Sequence, residues 1–257
     1  MTDQVYSSRL AAFQGLLAPT ADLAFLPISA DLQYLAGVPR STPNFGAVRH
    51  PGRWVEGGWI APGRNPVLAR PRRTAVFGGL PDRPYVEVRV LGDWDDPSAF
   101  MRALLHDLGL PAQPRVAVSN HTTAETILAL QSVMPQARFV SAAGLMNSLR
   151  AIKSEDEIAL MRRAGEMTEA AFAAILSQLR HGMTELDVMA EVHFQLWRHG
   201  SPGSSFTPLL ENSGPNHPLF LGQPLDAWKR ELHPPVSVLF DFGAIYQGYC
   251  YDFGRTV

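Results

Sequence analysis

The sequence of 257 residues contains a single cysteine, Cys250, so no disulfide can form within it and a reducing compartment is expected. No stretch approaches the roughly eighteen consecutive apolar residues that a membrane-spanning helix needs. The opening MTDQVYSSRL lacks a basic segment followed by an apolar one, so no secretory leader is expected there. An excess of one charge is missing as well. Lys plus Arg number 22 against 24 Asp plus Glu, a net charge of −2, which gives no global attraction for nucleic acid or an anionic membrane. Internal repeats and low-complexity tracts are absent. These absences leave a soluble cytoplasmic protein as the expectation, with no nucleic-acid and no membrane partner. What is present is a composition of 46% apolar and 18% charged residues, enough for one large core or two ordinary ones.

The first 150 residues alternate between helix-like and strand-like runs. Residues 5–17 carry helical spacing, and Leu23-Ala24-Phe25-Leu26, closed by Pro27, suits a buried strand. A short helix over 31–35 stops at Gly37. Residues 74–77 and 85–91 read as strands, 97–108 as a helix with Pro97 in its first turn and Gly109 after its end. A strand over 115–119, a helix over 123–133 and a strand over 138–140 follow. This is an α/β layout with a mixed sheet and flanking helices. The Pro-, Gly- and Arg-rich stretch 39–73 reads as a long excursion, and its basic cluster Arg70-Pro71-Arg72-Arg73 as a solvated loop.

The pattern changes near residue 150, and a domain boundary is expected at 148–153, giving domains 1–150 and 151–257. Ser154-Glu155-Asp156-Glu157 is a capping box, and the apolar spacing after it predicts a long amphipathic helix ending near Gly182. A second helix starts at Thr184-Glu185-Leu186-Asp187 and ends at Gly200. A strand over 206–210, a polar turn over 211–216 and an apolar strand over 236–240 lead to the last motif. Among the histidines, His193 and His199 read as polar-face or C-cap residues, and Asp226 and Arg230 read as surface residues.

The chain closes on FDFGAIYQGYCYDFGRTV, with Asp241 and Asp252 eleven residues apart. Three readings are open: half of a metal site, a repeated kinase-like Asp-Phe-Gly, or a polar hairpin with solvated aspartates. A hairpin turn centred between residues 246 and 247 puts the aspartates directly opposite, with Cα atoms about 4.5–5.5 Å apart. Two ionised carboxylates at that separation repel unless a cation or a shared proton lies between them. The kinase reading lacks a Gly-rich loop, a Val-Ala-Ile-Lys and a His-Arg-Asp.

Asp241-Phe242-Gly243-Ala244, Gly248-Tyr249 and Asp252-Phe253-Gly254-Arg255-Thr256 together resemble the signature of the creatinase/aminopeptidase P/prolidase "pita-bread" metallopeptidase family. The segment 149–158, Gly182-Met183-Thr184-Glu185 and Ser213-Gly214-Pro215-Asn216 resemble further motifs of that family. So do Arg9-Leu10, Tyr34-Leu35-Ala36-Gly37 and Thr123-Ala124-Glu125-Thr126 in the first half. The resemblance implies a creatinase-type N-terminal domain followed by the first part of an α+β pita-bread domain. It implies an Xaa-Pro aminopeptidase or dipeptidase acting before proline in peptides, a homodimer, and a dinuclear site of Mn, Co or Zn. Asp241 and Asp252 would be its first two ligands.

The pattern departs from the family in three places. The family completes its metal site with one His and two Glu after the second Asp, so the 257-residue chain alone is expected to be inactive. The substrate-facing His expected eight residues after Ser213 is Leu221, with His217 a nearby substitute. The usual Gly-Asp before the first metal strand is Pro235-Val236. These departures keep two alternatives in view: a non-hydrolytic dimeric scaffold and a creatinase-like hydrolase of non-peptide substrates.

Overall fold

The computed structural model describes residues 1–40, 52–78, 83–219 and 227–257. They form two compact units, Met1–Ile152 and Lys153–Val257.

The first unit runs α1 (Asp3–Leu17), β1 (Leu23–Leu26), α2 (Ala30–Ala36), β2 (Gly57–Ile60), β3 (Val67–Pro71), α3 (Arg72–Gly78), β4 (Glu87–Leu91), α4 (Pro97–Asp107), β5 (Arg115–Val118), α5 (Ala124–Val133), β6 (Arg138–Ser141) and α6 (Ala143–Arg150). Its six strands lie in the order β4-β3-β2-β1-β5-β6, with β2 antiparallel to both neighbours and the other pairs parallel. The mixed α/β sheet expected of this half is present. Side chains on a strand alternate between faces, and β1 follows that rule. Ala24 and Leu26 join a core with Leu10, Phe13, Leu32 and Met146, whereas Leu23 and Phe25 join one with Met101, Leu104 and Leu130. Both faces are covered, which is why Leu-Ala-Phe-Leu is apolar without alternation.

Three local expectations are corrected here. The stretch 39–73 is no simple excursion, because it contains β2 and β3, two inner strands of the sheet; residues 41–51 lie outside the described residues. Its glycines serve close packing: a Cβ on Gly58 would lie 2.4 Å from Leu32 Cδ1, and one on Gly57 would lie 2.5 Å from Leu26 O. Residues 74–77 belong to α3 rather than a strand, since a short apolar run carries no period of its own. The basic cluster is no solvated loop. Arg70 and Pro71 end β3, and Arg70 is 1% exposed with its Nε 3.3 Å from Glu56 Oε1.

The second unit contains α7 (Glu155–Gln178), α8 (Glu185–Arg198), β7 (Leu209–Ser213), β8 (Ser237–Phe242), β9 (Ile245–Tyr246), β10 (Tyr249–Cys250) and β11 (Phe253–Thr256). Capping boxes start both helices, Ser154 with Glu157 and Thr184 with Asp187. The expected strand over 206–210 starts later, and Glu211 to Ser213 belong to it rather than to a turn. Strands order as β11-β8-β7, all antiparallel, with β9 and β10 as a separate hairpin. Val238, Phe240 and Phe242 pack with Ala171, Ile175, Val192 and Leu196 of the helices. The Phe172 ring meets Phe240 and Phe253 edge-on, with centroids 5.4 and 5.1 Å apart. Among the described residues no helix is long and apolar enough to cross a membrane.

Candidate metal site

Strand β8 alternates half-buried and buried residues, so Phe240 and Phe242 face the core and Asp241 takes the opposite face. The return strand is two residues out of the expected register. Gln247 and Gly248 form the two-residue turn, both with positive φ (47° and 85°), as a tight hairpin with the right-handed strand twist requires. The turn centre therefore falls between 247 and 248. Asp241 faces Gly254, and the same register sets Asp252 beside Gly243. A two-residue shift preserves the face, so the carboxylates are diagonal rather than direct neighbours. They still interact. The Asp241 carboxyl is pushed above its ordinary range, first by burial, then by the charge of Asp252 and a hydrogen bond to it, and by the charge of Glu211.

A set of hydroxyls holds the chain between the two aspartates. Thr168, on the apolar stripe of α7, accepts from Ala244 N at 2.9 Å and donates to Ala164 O at 2.9 Å. Ser201 accepts from Ile245 N at 2.9 Å, and Ser205 donates to Tyr251 O at 2.8 Å. Tyr249 OH reaches Glu157 Oε1 at 2.9 Å, so the capping box of α7 also anchors the hairpin. At Gly243 the strands approach so closely that a Cβ would sit 1.7 Å from Tyr251 O.

His217 and Arg230 meet at one carboxylate. His217 is 2% exposed, with Nε2 2.8 Å from Glu185 Oε1. Arg230, read as a surface residue, donates from Nη2 to the same oxygen at 2.7 Å. Leu221 and Asp226 lie outside the described residues. Sequence reasoning missed Glu185, Thr168, Ser201 and Ser205 as contributors. A threonine on the apolar stripe that includes Ile175 was a legible signal for Thr168, because a buried hydroxyl needs a partner. The serines carried none. Two carboxylates on one sheet face are hard oxygen donors and fit a divalent cation. Among the described residues no group of three or more His, Cys, Asp or Glu side chains is placed to hold a metal ion.

Known structures share this fold. The dipeptidase from Pyrococcus horikoshii OT3 superposes with a TM-score of 0.76 at 22% identity, over 96% of this chain and 64% of its own. A recombinant prolidase from Thermococcus sibiricus gives 0.78 at 19%, over 98% and 65%, and the Xaa-Pro dipeptidase from Bacillus anthracis gives 0.71 at 20%, over 98% and 64%. The chain therefore has the prolidase-type fold and spans a little less than two thirds of these proteins.

Residues 159–257 match the profile of metallopeptidase family M24. Among curated relatives, the putative dipeptidase YkvY of Bacillus subtilis (strain 168) is 36% identical over 123 residues, 47% of this chain and 32% of that protein. The uncharacterized peptidase YqhT of the same organism is 33% identical over 138 residues, 54% of this chain and 38% of its own.

Proposed function

We propose that this chain belongs to a metal-dependent peptidase of the Xaa-Pro type, in which Asp241 and Asp252 hold one or two divalent ions, Mn, Co or Zn. The observation that carries the reading is the pair itself: two carboxylates on one face of the β8–β11 pair, the first resisting ionisation because of its burial and then because of the second. A cation relieves that repulsion. The chemistry such an ion supplies when bound is Lewis-acid polarisation of a carbonyl and acidification of a water. The chain's own residues position the pair: Thr168, Ser201 and Ser205 set the corner that separates the aspartates, and Gly243 allows the close approach.

Specificity for peptides with proline after the cleaved bond, a homodimer and a cytoplasmic location belong to the same reading. The proline preference is supported by the Xaa-Pro dipeptidase and prolidase among the fold relatives and the location by the single cysteine, while the homodimer rests on the family resemblance of the sequence motifs. The segment 1–150 would be the creatinase-type N-terminal domain, and 151–257 the first half of the catalytic one. Two carboxylates alone hold a divalent ion weakly, so the 257-residue chain by itself is expected to show little or no hydrolysis. His217, buried against Glu185, serves this reading as support for the loop of 213–216 more readily than as a substrate contact.

Mn²⁺ binding followed by electron paramagnetic resonance tests the assignment. Weak binding to the wild-type chain should be lost in both Asp241→Asn and Asp252→Asn. Equal binding by all three proteins would remove the metal assignment. Strong cleavage of an Xaa-Pro peptide by the chain alone, abolished in Asp241→Asn, would overturn its predicted inactivity.

A further inference from the structure

Glu185, in the first turn of α8, is 3% exposed, and its Oε1 receives two donors, His217 Nε2 at 2.8 Å and Arg230 Nη2 at 2.7 Å. Arg230 Nη1 also donates to Pro218 O at 2.8 Å. The backbone follows the same route: Glu185 N donates to Arg230 O at 3.2 Å and Leu232 N to Met183 O at 2.8 Å. Gly214 and His217 exchange N–H···O bonds of 2.9 and 3.1 Å, so the loop carrying His217 is closed on itself. One buried carboxylate therefore ties the chain leaving β7 to the chain that approaches β8.

We propose that Glu185 is a positioning residue, the shared anion that seats the loop of 213–218 against residues 230–232. A buried carboxylate with two donors is costly to remove, because His217 Nε2 and Arg230 Nη2 then lose the acceptor they share. Its deletion also leaves a hole of matching shape and charge, so a small free carboxylate can take its place. The contact network does not depend on the peptidase reading. Its consequence, that Glu185 seats the loop resembling the family's Ser-Gly-x-Asn motif, rests on that reading.

The test is trypsin cleavage after Lys229 in the folded 257-residue chain, followed by mass spectrometry. Glu185→Ala should be cut about tenfold faster, as local opening becomes easier by the equivalent factor. Millimolar formate should slow the cut in Glu185→Ala and leave Val188→Ala, a core variant of the same helix, unchanged. Cleavage of Glu185→Ala at the wild-type rate, or formate acting on neither or on both, overturns the proposal. If Glu185→Ala does not fold, Glu185→Gln keeps the size and removes the charge. It should still speed cleavage and shift the ¹⁵N signals of the His217 ring, and no change in either sinks the idea. Mn²⁺ binding is read in parallel. Binding without formate rescue removes the clasp alone, and rescue without binding removes the metal reading alone.

Discussion

Asp241 works against the stability of its own fold. Its carboxyl is raised above the ordinary range by burial and by Asp252, so the folded state resists ionising it. The penalty is absent in acid, where the group is protonated in both states. It develops as pH rises through the unfolded carboxylate value and is complete above the raised folded one. Asp241→Asn, in the presence of a chelator, should therefore stabilise the second unit near neutral pH by about 0.5 kcal/mol, the scale of like charges paired across strands. The gain should shrink to nothing in acid. Denaturant melts at several pH values check this, and a variant that is less stable at neutral pH would contradict it. The aspartates and their shared face were legible in the residue spacing. Their diagonal placement was not, because it depends on the backbone conformations of Gln247 and Gly248, which several turn types could have accommodated.

At the scale of elements, the corner between β8 and β9 depends on helix α7. Thr168 spends its hydroxyl on Ala244 N and Ala164 O, in a site with no exposure. Thr168→Val keeps the shape but leaves the Ala244 N–H without its acceptor, so it should cost about 1–3 kcal/mol. Hydrogen exchange at Ala244 should quicken in step, and an unchanged exchange rate would show that the bond does not hold the corner. Gly243→Ala should be far worse, since its Cβ would fall 1.7 Å from Tyr251 O, and the β8–β11 pairing has to break to admit it. Loss of the cooperative melt of the second unit is the expected reading. Helices were the easiest elements to find, because capping boxes and apolar spacing are local signals. Strands β2 and β3 were hidden. Gly57, Gly58 and Arg70 resemble loop residues until the Leu26 carbonyl and the side chains of Leu32 and Glu56 come close to them.

For the whole molecule, the first unit holds a six-stranded sheet with a separate apolar cluster on each face. Among the described residues, both clusters are built from residues of the first unit. A protein of residues 1–152 should therefore fold alone and melt in one cooperative transition. Circular dichroism with a hydrophobic dye checks the point, and dye binding without a transition would argue that the unit depends on the rest of the chain.

The sequence by itself determined the α/β alternation, the change of pattern near residue 150, the two capped helices and the face shared by Asp241 and Asp252. Each of these follows from spacing within a few turns of chain. The tertiary structure alone decided the diagonal register of the aspartates, the burial of Arg70, and the union of Glu185, His217 and Arg230. The Arg70 and Glu185 contacts join residues between 14 and 45 positions apart, and composition cannot say which distant side chains will meet.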